Sequence, residues 1–172
     1  MGIENFKSRT RDQQKMLNIV LIEPEIPNNT GNIGRLCVGT QSRLHLIHPF
    51  GFVINDKNVK RSGLDYWVHL EVTEYQNVAN WIEVVPDVSR VFLMSSHAEK
   101  SYLEIEFKDE DWLVFGKESV GLSADVLSLF AKENQLKIPM SPLIRSFNIA
   151  NSVAFVVGEA RRQIVLSSVL HY

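Results

Sequence analysis

Hydrogen-bonding side chains are concentrated in one loop near the carboxyl end of the chain. Arg145, Ser146 and Asn148 come after a short apolar run that stops at Pro139, and a long helical pattern follows them. A helix N-terminus offers free N–H groups and a partial positive charge, so this arrangement predicts a ligand site. The alternative is that Ser146 and Asn148 only cap the helix.

Three other loops have the composition of ligand-binding turns. They follow apolar runs and cover residues 23–31, 94–96 and 116–121, with glycines at both ends of the last one. Such glycines permit close approach of a ligand or a positive φ, and ordinary turn geometry is the alternative. Because ligands bind beyond the carboxyl ends of parallel strands, we expect these loops to line one site with residues 138–146.

The elements that must position these loops alternate between strands and helices. Short runs rich in branched residues predict strands at 17–22, 43–49, 68–72, 90–96, 112–116 and 135–140. Apolar spacings of three and four predict helices after an N-cap at Asn29 or Thr30, and at 59–64, 78–84, 124–132 and 149–164. The alternation predicts an α/β protein with a mostly parallel sheet covered by helices on both faces.

Length and composition fit one domain with a sizeable core. The 172 residues are 45% apolar, and we predict a polar, disordered extension at 1–15 followed by a single domain at 16–172. The alternatives for the extension are an RNA-contacting arm and an organelle transit peptide. The net charge of -2 gives no global signature of nucleic-acid binding, so RNA would need a local basic patch. Lys57, Lys60 and Arg61 form one small basic cluster.

The sequence disfavours metal sites, several common catalytic and nucleotide-binding motifs, secretion and membrane insertion. The single cysteine, Cys37, lies in an apolar helical pattern, which predicts a core position and excludes a cysteine-rich zinc site. The five histidines lack metal-ligand spacing, so we assign no metal. The motifs of dinucleotide-binding folds, P-loops and nucleophile elbows are absent. Without a secretory pattern or an apolar run near the ~20 residues that cross a bilayer, we predict a cytoplasmic protein and no membrane partner.

Three blocks of sequence, in this order and spacing, carry a family resemblance. They are NNTGNIGR at 28–35, FGKESVGL at 115–122, and IPM at 138–140 with RSFNIANSVA at 145–154. Together they resemble the TrmH-like branch of the SPOUT methyltransferase superfamily. The opening MLNIVLIEPEIP and the later GLDY resemble, more narrowly, the small ribose methyltransferases of the tRNA wobble position.

The resemblance implies a fold and an activity that composition alone does not. It implies a deep trefoil knot at the carboxyl end, whose loops bind S-adenosylmethionine without a metal. It also implies 2′-O-methylation of tRNA at the anticodon wobble nucleotide, a cytidine or a modified uridine. The alternatives are another tRNA or rRNA ribose, and a knotted RNA-binding protein without catalysis.

By position, the resemblance assigns roles to individual residues. Arg35 corresponds to an arginine proposed to activate the hydroxyl, but a guanidinium with a pKa above ~12 suits a phosphate clamp and electrostatic stabiliser better. Asn29 would hold Arg35 and its loop, and Glu118 would organise its own loop. Ser146 and Asn148 would bind the methyl donor and the ribose. The implied cofactor contacts are Met94, Gly116, Ile138 and Ser146.

The resemblance also implies a homodimer that forms through helices near the knot. The candidate surface is the apolar stripe of the last predicted helix, and packing inside a single chain is the alternative. The stripe consists of Ile149, Val153, Val156, Val157, Ala160 and Ile164.

The resemblance to tRNA methyltransferases also requires a surface that binds tRNA. A local positive surface for tRNA would be formed by Arg35 and Arg145 together with the basic cluster at 57–61.

Overall fold

The computed structural model describes residues 16–52 and 65–169, and the side chains of these residues except Asp65 and residues 166–169. Two of the predictions above lie outside the described residues. One is the polar extension at 1–15. The other is the helix at 59–64 with its basic cluster of Lys57, Lys60 and Arg61.

A seven-stranded sheet forms the centre of the molecule. Every pairing between neighbouring strands is parallel, in the order β3-β2-β1-β6-β4-β7-β5. All five residues of β1 are buried, as expected for an inner strand of a parallel sheet with both faces covered. The strands are β1 (Asn18–Ile22), β2 (Arg43–Ile47), β3 (Val72–Tyr75), β4 (Val91–Met94), β5 (Lys100–Ser101), β6 (Trp112–Phe115) and β7 (Gln135–Lys137).

Helices cover both faces of this sheet. Side chains alternate along β1, so Ile19 and Leu21 join one apolar cluster while Val20 and Ile22 join the other. The first cluster includes residues of α1 and α4, and the second includes residues of α2 and α3. The predicted α/β class with a parallel sheet is therefore confirmed. The helices are α1 (Pro27–Thr40), α2 (Val78–Ile82), α3 (Ala124–Ser128) and α4 (Ile149–Val169).

The apolar stripe of α4 packs inside the chain. Its residues at 153, 156, 157, 160 and 164 are at most 5% exposed, and they share a cluster with Ile33 and Cys37 of α1. The assignment of this stripe to a dimer contact is therefore wrong, and the alternative, core packing, is confirmed. Cys37 is a core residue as predicted, and burial raises the pKa of its thiol to about 12.

Three local predictions differ from the structure. Helix α1 begins at Pro27, not after a cap at Asn29 or Thr30, because proline fits the first helical position and Asn29 and Thr30 lie within the first turn. The strand predicted at 68–72 is wrong: residues 65–69 form a 3₁₀ helix, and β3 begins at Val72, opposite Leu44. Helix α3 ends at Ser128, since Phe130 turns into the apolar cluster with Trp81.

Candidate functional site

The sheet brings the four predicted loops to one edge. Strands β1, β6, β4 and β7 are consecutive neighbours and all are parallel, so their carboxyl ends point the same way. The loops that follow them begin at residues 23, 116, 95 and 138. Segments that are distant in the sequence therefore meet where ligands bind in α/β sheets.

Glu118 joins the loop after β6 to the start of α1. Its carboxylate accepts hydrogen bonds from the backbone N–H groups of Glu25 at 2.8 Å and Ile26 at 3.2 Å. It also accepts a bond from the side-chain amide of Asn29 at 3.1 Å. Ile26, the residue that precedes α1, has no cap from its own side chain, so Glu118 serves as the cap from a distant loop. A negative charge at a helix N-terminus is electrostatically favourable.

A second carboxylate makes the connection reciprocal. Glu25, in the loop after β1, accepts bonds from the backbone N–H of Ser119 at 2.9 Å and from its hydroxyl at 2.8 Å. These bonds from Ser119 hold the pKa of Glu25 below its usual value. An ion pair between Lys117 and Glu23 joins the same two loops at 2.5 Å. We gave Glu23 and Glu25 no role from the sequence, although two acids directly after a buried strand were a usable signal.

Asn29 and Asn148 extend the connection to the third motif. The Asn148 side-chain N–H donates to the Asn29 side-chain oxygen at 3.0 Å, across 119 residues of sequence. The Asn148 side-chain oxygen accepts from the Ala150 backbone N–H at 2.9 Å, so Asn148 is also the cap of α4. The capping alternative therefore holds for Asn148. Ser146 lies three residues before the helix and is not its cap residue.

Two glycines allow the loop after β6 to fold back on itself. Lys117 and Gly121 pair through backbone bonds of 3.1 and 2.9 Å, and Gly121 has a φ of +73°. A Cβ on Gly116 would lie 2.2 Å from the Gly121 carbonyl carbon and 2.3 Å from the Leu122 nitrogen. Only glycine fits there, because both neighbours are backbone atoms. Gly116 is therefore needed for the conformation of the loop that carries Glu118.

A cavity of about 420 Å³ opens beyond the carboxyl ends of β4 and β7. Its volume lies in the range of small-molecule sites. Apolar side chains dominate the lining, with two serine hydroxyls and two cationic groups among them. The lining residues are Ser96, Lys137, Ile138, Pro139, Met140, Ser141, Pro142, Ile144 and Arg145.

Of the four predicted cofactor contacts, one lines the cavity and the other three lie in different surroundings. Ile138 lines the cavity. Met94 ends β4 two residues before the lining Ser96, and its own side chain packs in the apolar core. Ser146 is exposed and follows the lining Arg145. Gly116 lies against Gly121, as described above.

Arg35 lies apart from the Glu118–Asn29–Asn148 network. It is exposed on α1, six residues after Asn29, and its guanidinium carbon lies 4.9 Å from the centroid of the Tyr66 ring. The described contacts of the Asn29 side chain are with Glu118 and Asn148, so Asn29 holds the loops together instead of holding Arg35. Tyr66 was not among the predicted site residues, although it closes the GLDY motif.

Two features of the described residues bear on metal binding and on membrane insertion. They contain no group of three or more histidine, cysteine, aspartate or glutamate residues that could hold a metal ion. The helices that the structure describes include none with the length and apolar character needed to cross a bilayer.

Comparison with known proteins places the chain among RNA methyltransferases. A model of the SpoU rRNA methylase family matches residues 16–158. A protein of Polaromonas sp. is 45% identical over 152 residues, covering 86% of this chain and 91% of its own length, and is named tRNA (cytidine(34)-2′-O)-methyltransferase.

Solved structures show the same similarity. One described as giving structural insights into the 2-OH methylation of C/U34 on tRNA aligns with a TM-score of 0.79 and 42% identity. That alignment covers 87% of this chain and 96% of the other. A more distant one, the SpoU methyltransferase AviRb of Streptomyces viridochromogenes in complex with AdoMet, aligns with a TM-score of 0.74 at 22% identity. It covers 88% of this chain and 58% of the other, and at this identity it shows a shared fold.

Proposed function

The chain belongs to the SpoU rRNA methylase family, and from this premise we propose that it methylates the ribose 2′-hydroxyl of nucleotide 34 in a tRNA. The observation that carries the proposal is 45% identity to a named tRNA (cytidine(34)-2′-O)-methyltransferase across 86% of the chain. The geometry agrees with it, since the three motif segments converge at one edge of the sheet.

The residues around the cavity fit S-adenosylmethionine as the methyl donor. A volume of about 420 Å³ suits a nucleoside-sized ligand, and the apolar lining from Ile138 to Met140 suits a flat base. Lys137, which also lines the cavity, offers positive charge to an amino-acid carboxylate. When bound, this cofactor supplies an electrophilic methyl group on a sulfonium.

The proposed roles of the side chains follow from their contacts. Glu118, Asn29 and Asn148 hold three loops in one arrangement, so their contribution is to position the reactants. We assign a contact with the donor or the ribose to Ser146, which is exposed on the segment between the cavity and α4. Arg35 acts as a clamp for an RNA phosphate, because a guanidinium retains its proton and recognises phosphate through its N–H fork.

We propose that tRNA is held mainly through its phosphates and the shape of its loop. Direct reading of helical grooves is not expected for a single-stranded anticodon nucleotide. Arg35 and Arg145 are both exposed at described positions and supply local positive charge despite the overall charge of -2. The protein is expected to work in the cytoplasm, where its substrate is found.

We also propose the trefoil knot that the family resemblance implies. The support for it is the family match over residues 16–158. The segment that would thread consists of residues 138–148, which join β7 to α4, and of α4 itself, which packs against α1 in the core. An experimental chain trace of residues 112–169 tests the threading, and a carboxyl-terminal segment that passes outside the preceding loops contradicts it.

A homodimer remains our proposal, on a different surface from the stripe considered above. The face of α4 that points away from the core exposes Ala154, Phe155 and Gly158, and Phe155 is 46% exposed. Phe155 packs on Phe147 at 5.2 Å, which continues the apolar surface toward the site. Light scattering is expected to show a dimer, and Phe155→Asp is expected to give a monomer. A wild-type monomer at micromolar concentration contradicts the proposal.

Transfer of a labelled methyl group tests the enzymatic proposal. The substrate is bulk tRNA from a strain that lacks this gene, and the labelled nucleotide is mapped by mass spectrometry. We expect about one methyl group per acceptor tRNA, on the ribose of nucleotide 34, and a loss of about 10- to 100-fold in Arg35→Ala. Label on another ribose would show that the enzyme modifies a different nucleotide. If no methyl group is transferred although tRNA still binds, a non-catalytic RNA-binding protein would be favoured.

A further inference from the structure

Residues 66–70 pack tightly against α1 beside Arg35. The Tyr66 hydroxyl donates a hydrogen bond to the Gly31 carbonyl at 2.7 Å, in the first turns of the helix. A Cβ on Gly34 would lie 2.6 Å from a ring carbon of Trp67 and 3.0 Å from a methyl carbon of Leu70. The close approach therefore needs glycine at position 34, directly before Arg35.

The Tyr66 ring restricts Arg35 without using its hydrogen-bond donors. The guanidinium carbon lies 4.9 Å from the ring centroid, within the distance of a cation–π contact. Among the residues that the structure describes, no carboxylate or carbonyl accepts a hydrogen bond from Arg35. A guanidinium that rests on a ring through its face still presents its N–H groups at its edge, where a phosphate binds in a fork geometry.

We propose that Tyr66 is a positioning residue that presents the Arg35 guanidinium to an RNA phosphate. The hydroxyl fixes the ring to α1 through Gly31, and the ring face limits the conformations of a long side chain that is otherwise exposed. Restricting the side chain before binding lowers the ordering cost when the phosphate arrives. This inference rests on one part of the proposed function, namely that Arg35 binds an RNA phosphate.

A double-mutant cycle on tRNA affinity tests this role. The dissociation constant for tRNA is measured with S-adenosylhomocysteine present for the wild type, Tyr66→Leu, Arg35→Ala and the double variant. We expect Tyr66→Leu to weaken binding about fivefold when Arg35 is present, and less than about twofold when it is absent. Equal losses in both backgrounds, or no loss in the wild-type background, would overturn the proposal.

Further variants separate the ring from the fold. Tyr66→Phe keeps the ring and removes the hydroxyl that donates to the Gly31 carbonyl, so we expect it to retain tRNA affinity within about twofold. If Tyr66→Phe loses as much tRNA affinity as Tyr66→Leu, the proposed role of the ring is wrong. The phenylalanine variant also provides this test if the leucine variant folds poorly. Tyr102→Leu, next to the opposite edge strand, is the matched control and should leave tRNA affinity unchanged. Because the readout is binding, a protein that transfers no methyl group would refute the proposed function separately from this coupling.

Discussion

At the scale of single residues, Glu118 is the point on which the site depends most directly. Two backbone N–H groups and the Asn29 amide donate to one carboxylate. Glu118→Gln leaves a single acceptor oxygen and turns an NH₂ group toward these donors. We expect the free energy of unfolding to fall by about 1 kcal/mol, since the bonds are partly exposed. Methyl transfer should fall about 10- to 100-fold, because the loops lose their relative position. Urea unfolding and single-turnover transfer measure the two effects.

A matched substitution distinguishes loss of position from loss of stability. Glu159 on α4 also accepts several side-chain donors, from Arg162 and Gln163, and these bonds lower its pKa to about 2. Glu159→Gln should therefore also destabilise the protein while leaving methyl transfer within about twofold of the wild type. If Glu118→Gln and Glu159→Gln lose activity equally, the positioning role of Glu118 is wrong.

At the scale of elements, the loop after β6 depends on the absence of a side chain at position 116. Gly116→Ala places a Cβ against the backbone of Gly121 and Leu122, so the loop must move and take Glu118 with it. We expect transfer to fall more than about 100-fold and amide exchange at Glu25 and Ile26 to accelerate. Gly39→Ala is the control, since a Cβ there meets nothing within 4 Å and alanine should stabilise α1 by about 0.5 kcal/mol. Normal transfer in Gly116→Ala would contradict this account.

Strands and helices whose positions follow from the local pattern of apolar residues could be predicted from the sequence. The inner strands are continuous apolar runs, and the stripe from Val153 to Ile164 has helical spacing, so both were identified correctly. The start of α1 was misplaced because its cap, Glu118, lies 92 residues away from Ile26. The 3₁₀ helix at 65–69 was missed because the tertiary contact between Trp67 and Gly34, not local propensity, shapes that segment.

The candidate site could be predicted as a set of loops but not as a set of contacts. The compositions of the loops and the rule for parallel sheets identified the correct edge. The Asn29–Asn148 bond depends on α1 and α4 meeting, and no spacing in the sequence encodes it. Whether the α4 stripe faced its own core or a second copy was likewise open, because both alternatives require the same apolar pattern.

At the scale of the whole molecule, buried His45 makes stability depend on pH. Its ring bonds with Asn18 and Tyr75 across the sheet, and burial, followed by the charge of Arg43, lowers its pKa from 6.5 to about 4. The unfolded chain takes up this proton below about pH 6.5, whereas the folded chain excludes it until about pH 4. The contribution is therefore complete above pH 6.5, and about 3 kcal/mol is lost as the pH falls toward 4. His45→Gln should remove this component from urea unfolding measured between pH 4.5 and 8, and an unchanged pH dependence would contradict the assignment.

The charge distribution of the whole molecule predicts strongly salt-dependent tRNA binding despite a net charge of -2. If Arg35, Arg145 and the three basic residues at 57–61 contact phosphates, the slope of log K against log salt should be about -4. Affinity would then fall by roughly two orders of magnitude between 50 and 200 mM salt. Removing Arg35 or Arg145 should each reduce the slope by about 0.7 to 0.9. Lys132→Ala makes the same change of charge just before β7, at the amino end of that strand and away from the carboxyl ends that border the site, and should leave the slope unchanged. An affinity that is flat over this range of salt would show that phosphate contacts do not hold the RNA.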